Sequence, residues 1–278
     1  MEELKRTAAE AYGAPSPAHV VAAPGTQILL PMLARLREDR TKAAVLSPTY
    51  AEHARAARLA GYKVAETADL AFVSAADLAV IVNPNNPTGR LVARAEVLEV
   101  ASCLKPRNGL LIVDEAFADV ADTESVAGDV DGVPLIVLRS FGKFFGMAGI
   151  RLGFAIGSPE VVRRLQEQLG PWSVSGPALH IALEALADPE WKTRMRQKLR
   201  EDAARLDALL AKAGLEVAGG TSLFRFVQHE KAEAIYRTLG SRGILIRKFD
   251  ERPRDLRIGL PADHEWVRLE TALSDLTI

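Results

Sequence analysis

A single lysine, Lys143, stands among three phenylalanines and two glycines in the run Arg139-Ser140-Phe141-Gly142-Lys143-Phe144-Phe145-Gly146. An ammonium in such company snorkels to water, pairs with an acid, or is kept neutral for covalent work. An apolar setting favours the neutral amine, which is the nucleophile that traps a carbonyl. Arg151 follows eight residues later, a fixed cation suited to phosphate.

Asp114 lies twenty-nine positions before Lys143 and closes the apolar run Leu110-Leu111-Ile112-Val113-Asp114-Glu115. An unpaired carboxylate at the end of a buried strand would cost several kcal/mol, so Asp114 requires a cationic partner. That partner is either a protein arginine or the protonated ring nitrogen of a bound cofactor. A second chemical cluster, Asn83-Pro84-Asn85-Asn86-Pro87-Thr88-Gly89, ends the run Leu78–Asn83. Its prolines restrict the backbone so that an asparagine amide projects from the strand's carboxyl end. Pro24-Gly25-Thr26-Gln27 follows another apolar run and opens a helix. Its free N–H groups suit an anion such as phosphate, and a glycine turn with Thr26 as helix cap is the plainer reading.

These groups need strands to carry them. His19–Ala23, Ala43–Ser47, Leu78–Asn83, Leu110–Glu115, Pro134–Ser140 and Leu152–Gly157 are short apolar runs that read as strands buried on both faces. Between them, 52–61 and 93–105 read as crossover helices, stopped by Gly61 and Pro106. The order is α/β, with a mainly parallel sheet flanked by helices and chemistry at the carboxyl ends of its strands. From Trp191 the pattern changes to a long helix closed by Gly214, then to α+β order. Two domains are therefore expected, a large α/β domain at 1–190 and a small C-terminal α+β domain at 191–278.

Composition limits the partners. The chain has 278 residues, 48% of them hydrophobic, with Lys+Arg 35 against Asp+Glu 36. A formal charge of -1 provides no general field for nucleic acid or an anionic membrane, so the expected partner is a small molecule. Cys103 is the only cysteine and is expected half-buried on a helix. One cysteine excludes an internal disulfide and leaves too few thiolates for structural zinc, so no metal is expected. The acidic stretch from Asp119 to Asp131 lacks the spacing of a calcium loop and reads as a solvated turn. The first residues are charged and helix-like and no apolar segment nears membrane-spanning length, so the expected location is cytoplasmic.

Taken in this order, NPNNPTG, DEAF and the S-x-x-K-x-x-x-x-x-G-x-R arrangement from Ser140 to Arg151 resemble the fold-type I pyridoxal-phosphate enzymes. Within them the chain is similar to the histidinol-phosphate aminotransferase group. SFGKFFGMAG, GPWSVSGPA and RIGLP look like its threonine-phosphate decarboxylase branch, which serves cobalamin biosynthesis.

The resemblance implies the aspartate aminotransferase fold and pyridoxal 5′-phosphate as cofactor. It makes Lys143 the catalytic lysine that bonds the cofactor and Asp114 the partner of its ring nitrogen. It further implies that Tyr50 stacks on the ring, that Asn86 bonds the O3′ oxygen, and that Gly25, Thr26, Ser140 and Arg151 hold the phosphate. Phe117 stands where the aminotransferases usually carry a tyrosine, and the decarboxylase branch tends to have phenylalanine there. Gly142 stands where many relatives have a hydroxyl residue. Arg257 matches the arginine that grips the substrate carboxylate, and Arg247 a second anion contact.

The implied reaction is decarboxylation of L-threonine O-3-phosphate to (R)-1-aminopropan-2-yl phosphate by a homodimer. The close alternative is an aminotransferase acting on histidinol phosphate or an aromatic amino acid. An alternative of another class is a non-catalytic ligand-binding protein, although G-x-G-x-x-G at a strand–helix junction and G-x-x-x-x-G-K-[ST] are both absent. Relatives also carry an N-terminal arm that covers substrate and lends a tyrosine to the neighbouring subunit. The chain begins near the family's first long helix with that arm absent, so either a shortened form or a more open, altered site is expected.

Overall fold

The apolar runs form strands because each buries both of its faces. The computed structural model describes residues 1–121 and 123–276. Asp122 of the acidic stretch and the last two positions of the expected C-terminal domain therefore lie outside the described residues. By contact density the chain divides into two units, one of Met1–Asn86 with Leu91–Pro189, the other of Pro87–Arg90 with Glu190–Ile278.

The first unit holds seven strands: β1 (Val20–Ala23), β2 (Lys42–Leu46), β3 (Lys63–Thr67), β4 (Leu78–Val82), β5 (Leu110–Asp114), β6 (Leu135–Ser140) and β7 (Gly153–Ile156). Their order across the sheet is β1-β7-β6-β5-β4-β2-β3. The pairs β2–β3, β2–β4, β4–β5 and β5–β6 are parallel, whereas β7 runs antiparallel to both β6 and β1. Every residue of β4, β5 and β6 is buried, the mark of central strands covered on both faces. One face packs Val45, Val80, Ile112, Leu138 and Ala155 against Leu29, Leu33, Ala57, Val162 and Leu165 of the covering helices. Each such side chain contributes about 1.5–3 kcal/mol when fully buried.

Two features of this unit differ from expectation. The strand β3 escapes a search for apolar runs because it is an edge strand, with Lys63 and Glu66 exposed along it. Cys103 is exposed on the helix Arg94–Leu104 rather than half-buried.

Register decides what the strand ends present together. Val82 lies opposite Asp114, and Asp114 opposite Leu138. Ser140 lies opposite Gly153, and Gly153 opposite Ala23. The segments after Ala23, Val82, Asp114 and Ser140 thus leave the sheet at its carboxyl end, with the chain re-entering at Gly153 beside two of them.

The second unit is an antiparallel sheet of β8 (Val217–Thr221), β9 (Phe224–Gln228), β10 (Arg247–Phe249) and β11 (Arg252–Gly259), in the order β10-β11-β9-β8. Helices Pro189–Lys212, Ala232–Ser241 and Trp266–Ser274 cover it, packing Leu206, Leu210, Ile235, Leu239 and Leu269 on Val227, Leu256 and Ile258. The long helix stops before Gly214, whose φ of 73° suits glycine. Pro87–Arg90 joins this unit by backbone contact: a Cβ on Gly89 would stand 2.0 Å from the Gly220 carbonyl oxygen. Among the described residues no helix is long and apolar enough to cross a membrane, and no cluster of histidine, cysteine or acidic residues could hold a metal.

Candidate active site

Asp114 ends β5 with its carboxylate buried, and its partner is a histidine. His53 donates from Nε2 to Oδ2 of Asp114 at 2.8 Å, with the two side chains 1% and 8% exposed. The other oxygen, Oδ1, accepts the backbone N–H of Ala116 at 3.0 Å. Among the described residues, the side chain hydrogen-bonded to the carboxylate is thus not an arginine: an imidazole sits behind it. His53 lies in the first turn of the helix Ala51–Leu59, three residues after Tyr50, whose ring meets the imidazole edge-on at 6.0 Å. That spacing is the one sequence signal for it, and by itself it is weak, since a lone histidine on an alanine-rich helix usually serves packing.

Tyr50 is 40% exposed. Its hydroxyl donates to Oε1 of Gln27 at 3.0 Å, and Gln27 donates in turn to Glu52 at 2.9 Å. The stacking candidate is thus tied to the turn that contains Gly25 and Thr26.

The asparagine cluster divides its labour. Asn83 spans its own loop, donating to the Val92 carbonyl at 2.9 Å and accepting the Val92 N–H at 3.0 Å. Asn85 accepts from the Thr49 hydroxyl at 2.6 Å and donates to the Pro48 carbonyl at 2.8 Å. The peptide bonds Ser47-Pro48 and Asn83-Pro84 are both cis. Asn85 therefore ties the turn after β4 to the turn after β2 while Asn83 closes its own loop, and Asn86, half-buried, follows directly from that scaffold.

Lys143 sits in the single helical turn Phe141–Phe144 after β6, and here the local expectation requires correction. Phe141, Phe144 and Phe145 are buried and pack on one another, with the rings of Phe141 and Phe145 stacked at 4.4 Å. Lys143 is exposed on the opposite side of the turn. A helical turn separates positions 141, 144 and 145 from 143, so the phenylalanines anchor the lysine's backbone rather than surround its amine. The ring near Nζ belongs instead to the buried Phe117, its centroid 5.7 Å away.

The phosphate candidates converge through the register described above. Gly25 has φ 88° and ψ 159°, a conformation open essentially to glycine. A Cβ there would lie 2.6 Å from Nη2 of Arg151, so the guanidinium covers that glycine directly. Arg151 also donates from Nη1 to the Ala148 carbonyl at 3.0 Å. Gly153 abuts the backbone N–H of Thr26, where an added Cβ would approach to 2.6 Å. Ser140, buried and opposite Gly153, leaves its hydroxyl unused as a helix cap. Thr26 does not cap the following helix: Gly25 holds the cap position, and Thr26 begins a 3-10 turn that runs into Leu29–Ala34.

Arg247 and Arg257 belong to the second unit, where they face each other across β10 and β11. Like charges opposite one another in a sheet are destabilising, and an anion between them removes that cost. Burial, then the charge of Arg247, depress the Arg257 guanidinium below its ordinary pKa. Arg257 lies over the Phe224 ring at 5.2 Å and Arg247 over the Phe249 ring at 5.7 Å.

Sequence reasoning also misjudged Asp119. It is buried rather than part of a solvated turn, and its Oδ1 accepts from Nη2 of Arg139 at 2.6 Å. Asp129 and Asp131 are likewise engaged, with Arg94 and His19.

The aminotransferase class I and II family matches residues 1–276. A threonine-phosphate decarboxylase of Pseudomonas aeruginosa is 44% identical over 274 residues, covering 97% of this chain and 81% of that protein. A second threonine-phosphate decarboxylase, from Sinorhizobium sp, is 46% identical over 242 residues, covering 86% and 72%. Among solved structures, histidinol-phosphate aminotransferase from Sinorhizobium meliloti in complex with pyridoxal-5'-phosphate superposes with a TM-score of 0.87 at 25% identity, covering 99% and 81%.

Proposed function

The chain belongs to the aminotransferase class I and II family, and on that premise we propose that it is a pyridoxal 5′-phosphate-dependent carboxy-lyase that converts L-threonine O-3-phosphate to (R)-1-aminopropan-2-yl phosphate. The observation that carries this reading is the 44% identity to a threonine-phosphate decarboxylase across 97% of the chain. Phe117 supports it, because a phenyl ring rather than a phenol faces Lys143.

The residues present fit the cofactor. A buried carboxylate backed by an imidazole suits a protonated pyridine nitrogen, and a glycine with an arginine laid over it suits a phosphate dianion. When bound, pyridoxal 5′-phosphate supplies an electron sink for the pair released as the carboxylate leaves. Asp114 holds the ring-nitrogen proton, with His53 keeping the carboxylate oriented. Tyr50, 40% exposed, would stack on the cofactor ring, and Asn86 would offer an amide to the O3′ oxygen. Gly25, Thr26, Ser140 and Arg151 bind the phosphate through backbone N–H groups, a hydroxyl and a guanidinium. Lys143 would provide the amine that holds the cofactor and would carry a proton at Nζ. Arg257 and Arg247 are the small unit's anion clamp, taking the substrate's carboxylate and a further charged group. The orientation these arginines would impose on the substrate carboxylate would select decarboxylation over transamination.

The alternative, transamination of histidinol phosphate, draws on the likeness to the Sinorhizobium meliloti enzyme. Incubation with threonine phosphate and cofactor separates the two. Carbon dioxide release without any 2-oxo acid is expected. Conversion of the cofactor to its amine form, with turnover dependent on a 2-oxo acid, overturns it. A cytoplasmic homodimer completes the proposal: a phosphorylated substrate is confined to the cell interior, and light scattering reads the mass.

A further inference from the structure

Behind the strand ends lies a buried ionic cluster that none of these roles uses. Arg139 is the penultimate residue of β6, so its side chain leaves the face opposite to that of Leu138 and Ser140. Its Nη1 donates to Oε2 of Glu115 at 2.8 Å and its Nη2 to Oδ1 of Asp119 at 2.6 Å. The three side chains are 5%, 2% and 8% exposed. The guanidinium also lies 4.5 Å from the centroid of the Tyr12 ring. Glu115 is held further by the Ser125 hydroxyl at 2.6 Å and the Val126 N–H at 3.0 Å. Burial opposes the charge on Arg139, but the carboxylates of Asp119 and Glu115 outweigh it and hold the guanidinium above its ordinary pKa.

Glu115 and Asp119 are the two ends of one turn, and Phe117 is its middle. We propose that Arg139 is a positioning residue whose fork straps this turn and so sets Phe117 against the amine of Lys143, 5.7 Å from the ring centroid. The fork is the essential element: two carboxylates four residues apart are gripped by two N–H arms fixed in one plane, which a lysine cannot reproduce. Glu115 directly follows Asp114 and Arg139 directly precedes Ser140, so the same strap sets the spacing of the cofactor-facing ends of β5 and β6. This inference rests on the cofactor reading above.

The test uses Arg139→Lys, Phe117→Leu and the double variant in the full chain. Equilibrium binding of pyridoxal 5′-phosphate is followed by quenching of tryptophan fluorescence, and the pH dependence of the bound cofactor's absorbance is recorded alongside. Arg139→Lys is expected to weaken binding about tenfold or more and to shift the absorbance profile toward that of Phe117→Leu. In the Phe117→Leu background the same change should cost less than about twofold more, because the strap acts through that ring. Additive losses, or an unchanged absorbance profile in Arg139→Lys, overturn the proposal. If Arg139→Lys does not fold by circular dichroism, Asp119→Asn, which neutralises one arm, enters the same cycle with the same two outcomes. A wild-type chain that binds no pyridoxal phosphate sinks the cofactor reading itself, whereas wild-type binding with additive variants sinks only the role of Arg139.

Discussion

Nε2 of His53 lies 2.8 Å from Oδ2 of Asp114, joining a helix turn to a strand end across sixty-one positions of sequence. The pair is almost wholly buried, and the other oxygen of that carboxylate accepts the backbone N–H of Ala116. His53→Ala therefore removes a hydrogen bond to a buried charge, and should lower stability by about 1–3 kcal/mol. Urea denaturation without cofactor measures this. A change under about 0.5 kcal/mol would show that the carboxylate does not depend on the imidazole.

Lys143 is exposed while its neighbours Phe141 and Phe144 are buried, so its side chain contributes little to folding. Lys143→Ala should retain thermal stability to within about 0.5 kcal/mol while turnover falls about a thousandfold or more. Borohydride treatment should fix cofactor to the wild-type chain at this residue alone. Cofactor still fixed to the variant would remove the assignment.

Gly25 has φ 88°, and Arg151 occupies the space in which a Cβ would stand. Gly25→Ala combines backbone strain of about 1–3 kcal/mol with displacement of the guanidinium. The variant is expected to melt lower and to lose affinity for pyridoxal phosphate. It should lose less for pyridoxal, which lacks the phosphate. Equal losses for the two ligands would argue against a phosphate seat at this turn.

Tyr12 offers a pH test. Burial first, then the charge of Asp119, hold its phenol above the ordinary value, against the opposing pull of Arg139. A group ionising later in the folded chain than in the unfolded one gives stability that is complete below about pH 10 and is lost as pH rises from there. Tyr12→Phe should thus lose less stability than wild type between pH 7 and pH 11. At pH 7 its cost should stay within about 1 kcal/mol, since the buried hydroxyl has no hydrogen-bond partner among the described residues. Denaturation curves at both pH values decide; parallel losses in the two proteins would refute the argument.

Much of the architecture was legible because its signals are local. Strands such as Leu78–Val82 and Leu110–Asp114 are apolar runs that only a sheet covered on both faces can bury, and glycines at 61 and 214 mark helix ends by their positive φ. The edge strand Lys63–Thr67 was not legible, because half of its surface remains in water and its residues match that setting. Within the candidate site, the same limit separates the residues.

By itself, the sequence determined which apolar runs are strands, which motifs follow their carboxyl ends, and in what order those motifs arrive. Hydrophobic periodicity and backbone restriction act over a few residues, so they can be read from a few residues. Only the tertiary structure decided the pairings. His53 became the partner of Asp114, and Asp119 left an apparently solvated turn to meet Arg139. The phenylalanines around Lys143 turned into the core, leaving Phe117, twenty-six positions earlier, as the ring beside its amine. Such contacts depend on register and on which face of a strand or helical turn a side chain leaves, and burial then makes every charge find a partner wherever the fold has brought one.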